Sequence, residues 1–317
     1  MTDEFIPPAP LQTAVLFLVF NRPDTTARVF EAIRKAKPPR LYVAADGPRA
    51  NREGEAERVT RVREIATAVD WPCEVKTLFR EENLGCKYAV SGAITWFFEQ
   101  EEQGIILEDD CLPKISFFYF AEQLLFHYAD DEQVVMISGT NHLGKSGSNK
   151  DSYFFGFGDI WGWAAWRRSW KLYDGHLEIL SNEKSLNKLK SICDLTPWVF
   201  SNLLSGCQKV KQGKLSSWGY PWAISRIAAG GLSIVPSVNL IQNIGFGDDA
   251  THTKSIEQQD KPHCYEINFP LMHPVKKGID FQHYKERRWN ERRQLIIRIL
   301  SLKWLGRRVN RLFFWRF

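Results

Sequence analysis

In the first 140 residues, short apolar runs alternate with longer amphipathic stretches, and few folds can use such an alternation. "TAVLFLVFNR" reads as a strand, and Asp24 to Ala36 as a helix closed by Pro38 and Pro39. "RLYVAADG" is a second strand, followed by a charged helix from about Arg52 to Val69, and "CEVKTLF" is a third strand. A helix over Cys86 to Gln103 precedes "GIILEDD", and a helix over Ser116 to Tyr128 precedes "QVVMISG". Strands separated by helices force crossover connections, so the expected fold is α/β, a mainly parallel sheet flanked by helices. In such sheets ligands bind beyond the carboxyl ends of the strands. "NRPD", "ADGPR" and "EDD" all fall there.

Glu108, Asp109 and Asp110 end an apolar run that demands burial, yet like charges at a buried strand end repel. A hard divalent cation resolves the conflict by supplying charge and oxygen coordination; a solvated helix-capping cluster is the plainer alternative. Pro113 supplies a turn that would orient the carboxylates.

At 44% hydrophobic residues the chain has material for a large core, and no window is long and apolar enough for a membrane span. The acidic, proline-rich opening "MTDEFIPPAP" does not read as a signal peptide, so the expected location is cytoplasmic. Six cysteines without a CxxC pair argue against a zinc knuckle or a disulfide framework. No GxxxxGK[ST] or GxGxxG follows a strand, which argues against a phosphate-cradling P-loop.

The expected organisation is the alternating segment over 1–140, a segment of different texture over 141–284, and a basic amphipathic tail over 285–317. The second half opens on "YFFGFGDIWGWAAWRRSW", continues through helical sequence from about Asn182 to Lys211, and holds "SSWGYPWA" and "NIGFGDDATHT". Its dense tryptophans are mostly core material, but flat indoles beside glycine, at Trp161 and Trp218, suit stacking on sugar rings. His252 lies in a glycine-flanked polar loop and is either a metal ligand or an exposed loop histidine.

Taken in order, "FNRPD", "ADGPR", "EDD", "WGW" and "IGFG" resemble a GT-A nucleotide-diphospho-sugar glycosyltransferase, of the N-acetylglucosaminyltransferase-I-like and family-2-like bacterial kind. The resemblance implies a Rossmann-like sheet and a UDP-sugar or related donor held with Mn²⁺ or Mg²⁺. It makes 1–140 the nucleotide-sugar-binding half and 141–284 the acceptor-side half of one domain, and assigns the metal to Asp110 and His252 and the donor to Arg22, Asp46, Glu108 and Asp109; Lys87, after the third strand, is a further donor candidate, and Trp161 and Trp218 are candidates for binding sugar. Asp46 would accept a hydrogen bond from the base.

The implied chemistry is transfer to a glycan or lipid-linked acceptor, with inversion and a carboxylate as proton acceptor. The family carries that carboxylate in a "WD" motif, where this chain has Gly219 in "SWGYPW". Asp159 is then the nearest substitute and Asp248 the next. A non-catalytic sugar-nucleotide or glycan-binding relative and a metal-dependent phosphoesterase remain the alternatives. In the tail, eleven Lys or Arg against two Glu from Lys285 onward suit either an anionic membrane surface or packing on protein, and the mildly acidic remainder disfavours nucleic acid.

Overall fold

The computed structural model describes residues 5–145, 151–193, 197–245, 262–290 and 292–293. Two compact units divide the chain, Met1–Ile279 and Asp280–Phe317. In the second, 281–290 is helical; most of the basic stripe, from 294 onward, lies outside the described residues.

In the first unit, β1 (Val15–Val19), α1 (Pro23–Ala36), β2 (Arg40–Ala45), α2 (Glu55–Ala66), β3 (Glu74–Phe79), α3 (Gly85–Gln100) and β4 (Gln103–Glu108) follow one another as the alternation requires. Next come β5 (Cys111–Pro113), α4 (Ile115–His127), β6 (Val134–Ser138), β7 (Tyr153–Gly156), β8 (Trp163–Trp166) and the single turn α5 (Arg167–Trp170). Helices α6 (Glu183–Cys193), α7 (Pro197–Lys211) and α8 (Gly219–Ala228) lead to β9 (Leu232–Pro236) and β10 (Ile241–Asn243). The helical stretch expected from Asn182 to Lys211 is thus two helices, the second opened by Pro197, and "GYPWA" begins a third.

Eight strands form one sheet in the order β3-β2-β1-β4-β8-β6-β9-β7. From β3 to β4 every pairing is parallel; beyond β4, the reversed strands β8 and β7 make it mixed. The expectation of an α/β sheet flanked by helices is met, and the reversed strands come from the aromatic segment in which no strand was expected. The period of two along β1 divides the core. Val15, Phe17 and Val19 pack with α1, α2 and α4, whereas Leu16 and Leu18 face α3 and the tryptophans 163, 170, 218 and 222. Alternation within a doubly covered strand explains why β1 is buried at all five positions.

Pro23 opens α1, and Lys37 closes it in the left-handed conformation immediately before two prolines. Beyond β4, the short β5 pairs antiparallel with β10, setting Asn243 opposite Cys111. The Ile244 N–H then donates to the Asp110 carbonyl at 2.7 Å. By this route Gly245 arrives at the carboxyl edge of β4.

Candidate functional site

A cavity of about 800 Å³ opens at the carboxyl ends of β1, β2, β3 and β4. Phe20 to Arg22 reach it from β1, Asp46 from β2, Arg80 from β3, and Glu108 to Asp110 from β4. Its inner wall is apolar, formed by Leu18, Ala44, Ala89, Ala93 and Trp218.

The acidic triplet is held by its neighbours. Glu108 is the last residue of β4 and pairs with Leu18. Asp109, 8% exposed, accepts a hydrogen bond from the Phe20 N–H at 3.2 Å. Arg22 reaches Asp110 Oδ2 at 3.1 Å and stands 4.0 Å from Asp109 Oδ1. One guanidinium beside three carboxylates leaves the cluster short of positive charge. Burial first, then repulsion from Asp110, pushes the Glu108 and Asp109 carboxyls well above the usual carboxylate range, with Arg22 opposing.

These raised values carry a pH prediction. Because the folded state holds protons that the unfolded chain releases near pH 4, stability is fully present below that range and is lost as pH rises through the raised values. In the metal-free protein the unfolding free energy should fall from mildly acidic to neutral pH by about 1.4 kcal/mol per pH unit for each retained proton, and the melting temperature should fall with it. Added Mn²⁺ should flatten the decline; a metal-free curve that rises toward neutrality would contradict the assignment.

Arg49, Arg52 and Arg80 also line the cavity. Arg49 is anchored by the buried carboxylate of Glu55, whose pKa its hydrogen bonds hold down at about 2, with help from Asn21. Arg52 and Arg80 have no carboxylate partner among the described residues. Arg80 lies so close over Gly92 of α3 that a Cβ there would sit 2.9 Å from its Nη2. None of these three, nor Glu55, was singled out in the sequence. Arg49 does end a quoted segment, "ADGPR", and Arg80 directly follows another, "CEVKTLF".

Asp46 is 8% exposed and accepts four hydrogen bonds. Oδ1 takes the N–H groups of Gly47 at 3.0 Å and Leu84 at 2.9 Å, and Oδ2 takes the Gly85 N–H at 2.9 Å and Asn83 Nδ2 at 3.0 Å. A carboxylate has about four acceptor sites, so protein donors fill them. Asp46 therefore ties the β2–α2 loop to the start of α3. Gly47 is part of that junction, since a Cβ there would meet the Glu82 backbone at 2.4 Å.

The other expected site residues are dispersed. Trp161 lines the cavity, whereas Trp218, although in its wall, is 2% exposed and stacked on Trp163 at 5.8 Å. An indole so packed offers no free face to a sugar. The Lys87 ammonium lies over the Tyr88 ring at 5.2 Å, and Lys87 is not among the lining residues. Asp159 is beside the cavity, through its neighbours Ile160 and Trp161, and its carboxylate meets His142 Nε2 at 2.6 Å. Asp248 and His252 lie outside the described residues. Burial pushes the Cys86 thiol, also in the lining, up to about 12, which disfavours a thiolate there.

Among the described residues, no three His, Cys, Asp or Glu side chains form a metal cage on their own. A hard cation bound mainly through ligand phosphates needs only one or two carboxylates, which Asp110 and Asp109 can provide. Gly245 marks the same spot, because a Cβ there would lie 2.2 Å from Asp110 Oδ2. The donor set thus fits Mg²⁺ or Mn²⁺ carried by a phosphorylated ligand.

No protein-family model matches this chain, and no curated protein matches it. Similar solved structures include galactosyltransferase LgtC in complex with donor and acceptor sugar analogs, at 12% identity and TM-score 0.27, covering 51% of this chain and 60% of that one. Mouse xyloside xylosyltransferase 1 is 12% identical with TM-score 0.34, over 69% of this chain and 82% of that one. UDP-glucose pyrophosphorylase complexed with UDP-glucose is 10% identical with TM-score 0.37, over 74% and 94%. The chain spans three fifths of the galactosyltransferase's length, and likenesses this slight carry no weight for function.

Proposed function

We propose that this chain is a glycosyltransferase that takes a sugar from a nucleotide-diphospho-sugar, UDP-sugars being favoured, and passes it with inversion to a glycan or lipid-linked acceptor. The observation that carries the reading is the presence in the lining of one cavity of two arginines without a carboxylate partner among the described residues, Arg52 and Arg80, and an under-neutralised triplet, Glu108, Asp109 and Asp110. The arginines call for an anion and the carboxylates for a cation. A diphosphate carrying a divalent ion satisfies both, and a simple phosphate monoester would leave much of an 800 Å³ cavity unfilled.

In this reading Arg49, Arg52 and Arg80 hold the diphosphate, and Asp110 with Asp109 holds the ion. When bound, the ion supplies charge neutralisation at the leaving phosphate. Asp46 keeps the backbone of 83–85 in place as a wall of the site, and the apolar lobe under Ala89 and Ala93 excludes water from the nucleoside. Gly219 begins α8 where the resemblance expects the catalytic carboxylate, and a Cβ there would meet Ile160 Cδ1 at 2.6 Å.

Calorimetry against UDP-, GDP- and CMP-sugars, with and without Mn²⁺, tests the proposal. Binding strengthened by the metal is expected for one nucleotide class. Uniform silence across the panel would dismiss it, and release of nucleoside diphosphate separates transfer from mere binding.

A further inference from the structure

We propose that His142, oriented by Asp159, accepts the proton of the attacking hydroxyl; this inference rests on the transferase reading and fills the vacancy at Gly219. The two residues arrive from neighbouring strands at the same sheet edge as the acidic triplet. Ser138 of β6 pairs with Trp163 of β8, and Trp163 in turn pairs with Ile106 of β4. The loop after β6 and the loop before β8 therefore leave the sheet together, two strands and one strand from Glu108 respectively.

A ladder of hydrogen bonds joins these loops. The Gly139 N–H donates to the Gly162 carbonyl at 2.8 Å, Thr140 Oγ1 to the Trp161 carbonyl at 2.8 Å, and Ser138 Oγ to the Asp159 carbonyl at 2.9 Å. The Asp159 N–H returns a bond to Ser138 Oγ at 3.1 Å. At the top, His142 Nε2 meets Asp159 Oδ2 at 2.6 Å. Asp159 Oδ1 takes the Ile160 N–H at 2.7 Å, so both carboxylate oxygens are engaged. Such a carboxylate is better placed to hold an imidazole than to receive a proton itself.

With Nε2–H donated to Asp159, the lone pair of His142 lies on Nδ1. That nitrogen has no hydrogen-bond partner among the described residues and is not one of their buried orphaned atoms. The His142 side chain is 19% exposed. Its ring meets Trp161 edge to face, with centroids 5.4 Å apart, and Trp161 and Ile160 line the cavity. An acceptor sugar lying over Trp161 would bring a hydroxyl toward this nitrogen.

The step balances. The hydroxyl proton passes to Nδ1 while the oxygen forms a bond to the anomeric carbon, and the bond from that carbon to the phosphate oxygen breaks, its electron pair leaving on the nucleoside diphosphate. Asp159 steadies the imidazolium, which later loses the proton to solvent. Asp159 is accordingly a positioning residue.

The test uses the full chain with Mn²⁺ and UDP-glucose, UDP-N-acetylglucosamine and GDP-mannose, with water as the acceptor. His142→Ala should slow hydrolysis at least ~100-fold, leave donor affinity within about twofold, and regain rate with free imidazole. Asp159→Asn should slow it less, and the double variant should be no slower than His142→Ala, because the two act as one unit. Unchanged turnover in His142→Ala, or lost donor affinity that imidazole does not repair, overturns the assignment. Should the parent hydrolyse none of these donors, nitrogen-15 spectra of labelled histidine still decide. The Nε2–H tautomer is required at neutral pH, and its absence refutes the proposal. A parent that binds no member of the panel refutes the transferase reading itself, whereas one that binds and turns over without His142 refutes only the base.

Discussion

Asp110→Ala is expected to abolish the effect of Mn²⁺ on nucleotide-sugar binding, with affinity in the presence of metal falling at least ~100-fold. Asp110 is the triplet member that Arg22 contacts most closely, at 3.1 Å, and the one against which the Gly245 backbone is pressed. Removing it takes away one negative charge and releases the Arg22 guanidinium toward the ligand. Metal-free affinity for the diphosphate should therefore stay level or rise. Calorimetry of parent and variant, each with and without Mn²⁺, gives the four values needed. A variant that keeps the parent's increment with metal would show that the ion, if any, sits elsewhere. Equal losses in both conditions would point instead to a collapsed cavity.

The sheet was legible because each early strand is a short run of β-branched and aliphatic residues bounded by turn residues, and each early helix is long enough to show its own period. β7 and β8 were not legible. "YFFG" and "WAAW" are four-residue runs inside an aromatic segment, too short for any period to separate strand from loop. The acidic triplet stood out because three carboxylates after "IIL" violate the usual pairing of burial with neutrality. His142 did not, because a histidine in "TNH" carries no local signal. Its partner Asp159 is seventeen residues away, and only the antiparallel pairing of β6 with β8 brings them together. Arg80 was hidden for a related reason, since an arginine at a strand end reads as surface until the neighbouring strand supplies a cavity. At Trp218, glycine beside tryptophan suggests exposure, whereas the indole lines the cavity from within a cluster of four tryptophans.

Asp46→Ala should lower the melting temperature and weaken the whole cavity, rather than delete one contact to a base. The substitution orphans the N–H groups of Gly47, Leu84 and Gly85 and frees the Asn83 amide. At ~1 kcal/mol for each part-buried N–H the loss is about 3 kcal/mol. For a chain of this size that corresponds to a drop of roughly 6–12 °C. The junction fixes the start of α3, whose residues Cys86, Ala89, Val90 and Ala93 line the inner lobe, so UDP and inorganic pyrophosphate should lose affinity together. Asp46→Asn keeps one oxygen for the Gly47 and Leu84 donors but turns an amide toward the Gly85 N–H, and should fall between parent and alanine. The opposite pattern, an unchanged melting temperature with UDP binding lost and pyrophosphate binding kept, would return Asp46 to the base-reading role that the sequence resemblance implies. In that case the four hydrogen bonds would have to open when a nucleotide enters, and the backbone of 83–85 would move with them.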